Sequence, residues 1–409
     1  MLKRTLQKTV EEVSKSFPVL LITGPRQVGK TTLLEMIADK KRKYVTLDDL
    51  EQRKLAKTDP AMFLQVNQPP LIIDEIQYAP ELFSYIKMYV DTTKKAGAFW
   101  LTGSQKFQLM KNITETLAGR VAILDLLGFS YQEKIKGVNG ADDIPFLPTI
   151  EWVETKRNKK AKALNVNEIY ELIYQGSFPK IVTDKNISRD IFYKSYIQTY
   201  IERDVKDLTK IGNEIAFYNF LVAMAARTGQ LINYSDIARD VDVDIKTAKS
   251  WASILEASGL IKFLQPYHNN ITKRIIKTPK MYFLDTGLCA YLTGWDSPKT
   301  LEAGAMNGAI LETYVFAEIL KSYWNNGKEP NIYFYRDKDQ KEIDFVFETN
   351  GKLYPVEVKK TATPSLANIK SFSVLESLKK PIGEGAVICL YKDLFPLNRN
   401  VNIIPINYI

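Results

Sequence analysis

Histidine and cysteine are nearly missing from this sequence. His268 is the only histidine in 409 residues. That excludes a zinc site built from several histidines, and a Ser-His-Asp triad around any other histidine. Cys289 and Cys389 are the only cysteines, set in the apolar stretches GLCAYL and VICLY. Two such thiols make no disulfide framework and read as core residues in a reducing cytoplasm. No apolar run approaches the roughly 18 residues that span a bilayer. The N-terminal MLKRTLQKTVEEVSKSF carries charge where a secretory signal has an apolar stretch. Internal repeats and low-complexity segments are also lacking. The expectation is a cytoplasmic protein with no membrane partner.

What is present is an ordinary globular composition, 45% apolar and 25% charged. At about 150 residues per domain the length suggests two or three domains. The net charge of +9 suits a polyanionic partner such as nucleic acid. In the first third, Val19 to Thr23, Lys43 to Leu47, Leu71 to Asp74, Ala98 to Thr102 and Val121 to Leu127 read as strands separated by helical stretches. Joined by crossovers, they imply a parallel sheet covered on both faces. From about Gly137 to Lys162, GVNGADDIPFLPT and TKRNKKAK mark a surface connection. A mostly helical stretch follows, to about Leu208. Residues 213 to 267 read as three helices and a strand, and the part from Lys280 ends in strands rich in Tyr, Phe and Val. The expected units are 1–136, a connector and helical region 137–212, 213–279 and 280–409.

Residues 24 to 31, GPRQVGKT, match the phosphate-loop pattern G-x-x-x-x-G-K-[ST] at every specified position. A strand precedes the motif and a helix beginning TTLLEMIADK follows it, as the pattern requires. The loop Gly24, Pro25, Arg26, Gln27, Val28 and Gly29 turns backbone N–H groups toward phosphates, and the helix N-terminus at Thr31 and Thr32 adds its positive dipole end. Lys30 would reach the β- and γ-phosphates of ATP, and the Thr31 hydroxyl would ligate Mg²⁺. In LIIDE, residues 71 to 75, an apolar strand ends in two acids. Asp74 would hold Mg²⁺ through water, and Glu75 would orient or deprotonate the attacking water. The fourth strand ends in LTGSQ, which puts Ser104 and Gln105 beside the γ-phosphate. Either positions water, or the pair simply caps the next helix. Arg120, in LAGR before the fifth strand, is either an arginine finger toward a neighbouring subunit or a complement to the helix dipole.

In this order and spacing, GPRQVGKTTLL, LIIDEIQYAPELF, LTGSQ and LAGR resemble the prokaryotic AAA-type ATP-binding proteins with an uncharacterised C-terminal domain. The resemblance continues through GSFPK (176–180), YIERDV (200–205), KTPKMYFLDTGL (277–288) and EIDFVF (342–347), so it covers nearly the whole chain. It implies a P-loop fold, ATP binding, a ring or other homo-oligomer, and an arginine finger where Arg120 lies.

Between Glu214 and Tyr267 the order helix, helix, helix, strand reads as a winged helix. Ala248, Trp251, Ile254 and Leu255 face its core at helical spacing. Lys246, Thr247, Lys249 and Ser250 occupy the start of the third helix, where a recognition helix meets DNA. HNNITKRIIKTPK, with Lys273, Arg274, Lys277 and Lys280 and no acid, reads as a phosphate-contacting run. Winged helices also serve as protein-contact modules, so a protein partner stays open.

Residues 342 to 360, EIDFVFETNGKLYPVEVKK, read as a β-hairpin turning at Asn350-Gly351. Alternation puts Glu357 and Lys359 on one face of their strand, within reach of Asp344 on the paired strand. This resembles the PD-(D/E)xK nuclease core, with Glu312 at its acidic helix position, although Ile343 stands where that core has proline. The resemblance implies a second divalent metal on Asp344 and Glu357, supported by Glu312, with Lys359 acting on water. A hairpin with a surface salt bridge, and a nuclease fold without activity, are the alternatives. The fold class expected is α/β: an AAA-type parallel-sheet domain, a helical and winged-helix region, then a restriction-nuclease-like α/β domain. Its function would be an ATPase coupled to a module that binds nucleic acid, with or without cleaving it, or an ATP-controlled signalling switch that binds protein.

Overall fold

The computed structural model describes residues 2–104, 109, 113, 115–137, 144–158, 162–201, 214–270, 274 and 277–409. Strands β1 (Val19–Thr23), β2 (Lys43–Thr46), β3 (Leu71–Asp74), β4 (Phe99–Thr102) and β5 (Val121–Asp125) form one sheet in the order β2-β3-β4-β1-β5. Every pairing in it is parallel. The strand VLLIT is buried at all five positions, so both of its faces need cover. Leu20 and Ile22 pack with Leu6, Val10, Leu33 and Leu34 on one side. Val19 and Leu21 pack with Phe83, Ile86 and Val90 on the other. The two-residue period of the strand sorts them.

The remaining strands divide differently from the sequence expectation. Strands β6 (Gln230–Leu231), β7 (Ile261–Leu264) and β8 (Lys280–Phe283) make a three-stranded antiparallel sheet beside the helices Glu214–Ala225, Tyr234–Asp240 and Ile245–Ala257. Lys280–Phe283, read as the head of the C-terminal segment, therefore pairs with the middle one. A mixed sheet follows from β9 (Ile332–Arg336), β10 (Glu342–Thr349), β11 (Lys352–Lys359), β12 (Gly385–Cys389), β13 (Phe395–Pro396) and β14 (Val401–Pro405), in the order β13-β14-β12-β11-β10-β9. The β10–β11 hairpin turns where expected, with φ of 49° at Asn350 and 74° at Gly351, the paired positive angles of a tight hairpin turn.

One long helix, Asn307–Trp324, joins the parts. Its Phe316 ring stacks on Tyr282 of β8 at 4.3 Å and lies 5.8 Å from Phe345 of β10. Its far end meets the first third of the chain. Glu318 accepts the Tyr131 N–H at 2.7 Å, Lys321 donates to the Phe129 carbonyl at 3.1 Å, and Ser322 accepts the Phe146 N–H at 3.0 Å. A single apolar cluster runs from Leu20 and Trp100 through Tyr193, Phe220 and Trp251 to Phe345 and Ile404. Burying each such large side chain contributes about 1.5–3 kcal/mol, so this shared core binds the halves into one body. Among the described residues no helix is long and apolar enough to cross a membrane.

Candidate functional site

The phosphate loop leaves the C-terminal end of β1 in a conformation its glycines permit. Gly24 has φ 140° and Gly29 φ 87°. A Cβ on Gly24 would lie 2.0 Å from the Leu126 carbonyl oxygen, so the backbone passes too close for a side chain. Lys30 is buried, and its ammonium donates to the carbonyls of Gly24 at 3.0 Å and Pro25 at 2.8 Å. The loop is held from behind by Arg4, which donates to Val28 O at 3.3 Å and Leu127 O at 2.6 Å and pairs with Glu133 at 3.2 Å.

Asp74 and Glu75 arrive at this loop because β3 lies two strands from β1. The Thr31 hydroxyl donates to Asp74 at 2.6 Å, Tyr44 donates to its other oxygen at 3.1 Å, and Thr102 of β4 donates to it as well. Burial, then the Asp74 charge, pushes the Tyr44 hydroxyl far up in pKa, so it stays a donor. A hydroxyl and a carboxylate in contact form the hard-oxygen donor set that suits Mg²⁺. Glu75 adopts a left-handed backbone, φ 55° and ψ 47°, an uncommon state for a non-glycine residue. Its N–H donates to Thr102 Oγ1 at 3.2 Å, and Ser104 Oγ stands 3.5 Å from its Oε2. Arg26, Gln27, Gly29, Lys30, Thr31, Thr32 and Glu75 line a cleft of about 450 Å³, together with Thr199 from the helix Arg189–Tyr200. No motif marked Thr199, Tyr44 or Arg4.

Two expected loop residues stand elsewhere. Pro25 and Val28 turn away from the cleft, toward Phe178, Gly259 and Leu260. A Cβ on Gly259 would come within 3.0 Å of the Pro25 ring. Arg120 sits at the start of β5, beside Val19 N, at the sheet edge opposite its own phosphate loop. There it forms a forked pair with Asp91, at 2.5 and 3.0 Å. Gln105 lies outside the described residues.

The C-terminal carboxylates do assemble. Val358 N donates to Asp344 at 2.8 Å, and Lys359 pairs with Asp344 at 3.3 Å and Glu357 at 2.5 Å. Burial, then the Asp344 charge, pushes the Glu312 and Glu357 carboxyls well up. Lys280 completes the cluster. Almost fully buried, it pairs with Glu312 at 3.0 Å and Glu342 at 2.6 Å, and Tyr282 donates to Glu312 at 2.6 Å. This corrects the phosphate-contact reading of Lys280. Arg274 is corrected likewise, being buried and paired with Glu348 at 3.0 Å. Lys277 is exposed, and Lys273 lies outside the described residues. No group of three or more His, Cys, Asp or Glu among the described residues is arranged to hold a metal ion. Asp344 and Glu357, the expected ligands of a second divalent metal, are paired with Lys359, and the supporting Glu312 with Lys280.

The AAA domain family matches residues 16–135, the segment that carries this sheet, loop and acidic pair. Two domains of unknown function match the rest, DUF8612 over residues 166–299 and DUF4143 over 307–409. Uncharacterized proteins of Mycobacterium tuberculosis and Mycobacterium bovis are each 29% identical to this chain over 395 residues, covering 96% of it and 81% of their own length. Among solved structures, a Walker-type ATPase of Pyrococcus abyssi is similar at 15% identity and TM-score 0.42, over 70% of this chain and 94% of that one. The AMPPCP-bound DnaA of Aquifex aeolicus is similar at 13% identity and TM-score 0.29, over 61% and 85%.

Proposed function

We propose that the protein hydrolyses ATP with Mg²⁺ and uses the nucleotide state to switch its C-terminal half. The observation that carries this is the chain of contacts from Thr31 to Asp74 to Thr102 to Glu75 at the mouth of the phosphate loop. In it, Lys30 meets the β- and γ-phosphates, Thr31 and Asp74 hold Mg²⁺, and Glu75 activates water with Ser104 or Gln105 beside it. Pro25 and Val28, packed on Phe178, Gly259 and Leu260, give the loop a mechanical hold on the rest of the molecule. Phosphate release by purified protein tests the reading. Lys30→Ala should abolish ATP binding or turnover, and Glu75→Gln should bind ATP but turn over on the order of 10² more slowly. Unchanged hydrolysis in Lys30→Ala would sink the assignment.

For the C-terminal half, the favoured partner is a polyanion. Exposed Lys246, Lys249 and Ser250 at the start of the helix Ile245–Ala257, in a chain of net charge +9, support a winged helix on nucleic acid in a cytoplasmic oligomer. A nuclease-like role for Glu312, Asp344, Glu357 and Lys359 requires the carboxylates to leave Lys280 and Lys359. Those ion pairs count against cleavage only, which the second reading, an ATP-controlled protein-binding switch, does without. ATPase assays with and without DNA or RNA, watched for Mg²⁺- or Mn²⁺-dependent cuts, separate the two.

A further inference from the structure

Gln77 lies two residues beyond Glu75, in the short 3₁₀ turn Ile76–Tyr78. The left-handed backbone of Glu75 bends the chain at the end of β3, so that the Gln77 amide folds back over the carboxylate. Its Nε2 donates to Glu75 Oε2 at 2.5 Å. The residue is 8% exposed. Its Oε1 is buried and has no hydrogen-bond partner among the described residues. Reversing the amide would set an acceptor against a carboxylate, so this orientation is the one the chemistry requires. Residue 103 is glycine where a Cβ would stand 2.3 Å from Leu109 Cδ1 and 2.7 Å from Gln77 Oε1, so the backbone there leaves room for both side chains.

An amide buried with one end unsatisfied is a cost to folding. An apolar side chain in the same place would avoid it. The retained contact is the one to Glu75. We propose that Gln77 is a positioning residue for ATP hydrolysis: its buried amide anchors Oε2 of Glu75 and so fixes the carboxylate toward the cleft. The proposal rests on the reading of Glu75 as the group that activates water. Gly103 and Ser104, at the end of β4, belong to the same device. The glycine admits the amide, and the serine hydroxyl stands 3.5 Å from the anchored oxygen.

Single-turnover ATP hydrolysis and ATP binding, measured on the full chain, test it. Gln77→Ala should lower the hydrolysis rate on the order of 10-fold, as expected for losing a hydrogen bond to a charged group, and leave ATP affinity within about twofold. Gly103→Ala, which crowds the amide without removing it, should give the same split. Gln77→Ala added to Glu75→Gln should slow hydrolysis no further, because a positioning residue acts through the group it holds. Losses that multiply instead would make Gln77 merely structural and overturn the proposal. So would an unchanged rate in folded Gln77→Ala protein while the wild type hydrolyses ATP, which leaves the ATPase reading standing. A wild type with no Lys30-dependent hydrolysis overturns both.

Discussion

Lys280 stands at the head of the apolar strand KMYF with its side chain 4% exposed. Burying an ammonium is expensive unless carboxylates surround it, and here Glu312, Glu342 and the nearby Asp344 do. Burial alone would pull its pKa down, and those three charges reverse the shift upward. The lysine therefore stays charged and serves as the internal cation of the pocket. Lys280→Met should cost about 3–5 kcal/mol, the usual result of leaving buried charges unpaired. Adding Glu312→Gln should recover part of that loss in a denaturant melt. Mn²⁺ should raise the melting temperature of Lys280→Met and leave the wild type unmoved. A wild type that Mn²⁺ stabilises as strongly would show that lysine does not hold the cation position.

The same pocket, viewed as an assembly of the helix Asn307–Trp324 with β8, β10 and β11, carries a pH dependence. The Glu312 carboxyl is raised from 4.5 to about 7, and Glu357 from 4.5 to about 8, by burial and then by Asp344. Both folded values lie above the unfolded one. Their stabilising contribution is therefore complete below about pH 4.5 and is lost as pH rises through 7 to 8. In metal-free buffer the melting temperature should fall between pH 6 and pH 8.5, and Glu357→Gln should flatten that fall. A second element-level contact is the turn at Gly259, between the helix Ile245–Ala257 and β7. With φ 70° and Pro25 at 3.0 Å from a new Cβ, Gly259→Ala should press on the phosphate loop from outside. ATP affinity should drop several-fold by calorimetry while Lys30 and Asp74 stay intact. Unchanged affinity would uncouple the loop from the C-terminal half.

These contacts also mark how far the sequence could be read. The phosphate loop was legible because its chemistry sits in eight consecutive residues, and the hairpin because Asn350-Gly351 announces its own turn. Strand burial showed in apolar runs such as VLLIT. Arg4 was not legible: its partner Leu127 lies 123 positions away, and periodicity reports that a residue is buried, not against what. Lys280 and Arg274 misled for the same reason, since a cation in a basic run looks solvated until its distant glutamates are placed. Gln77 did carry a signal, a glutamine two residues after an acidic pair, but only the fold shows that its amide returns to Glu75.

At the scale of the whole molecule, the cations that line the cleft among the described residues, Arg26 and Lys30, both belong to the phosphate loop. Lys30 approaches from the loop, while Arg120, the expected finger, lies at the opposite edge of the parallel sheet. Five residues of strand separate the two edges, roughly 17 Å at 3.3 Å per residue, so Arg120 does not reach its own γ-phosphate. Within one chain it is held by Asp91, in a half-exposed pair of the kind that contributes little to stability. Such a pair would give way to a phosphate if a neighbouring copy offered one. Assembly of AAA-type chains would place that phosphate, and the arginine would then stabilise the charge of the transferred group. Arg120→Ala should accordingly lower ATPase activity on the order of 10² or more without weakening ATP binding. Mixed with Lys30→Ala, which cannot bind nucleotide but still carries the arginine, it should regain part of its activity. Specific activity of the wild type should rise with protein concentration as copies associate, and Asp91→Ala should leave it high. A protein that stays monomeric with ATP in sedimentation experiments, with activity independent of concentration and no rescue on mixing, would remove the finger and leave Arg120 as a surface partner of Asp91.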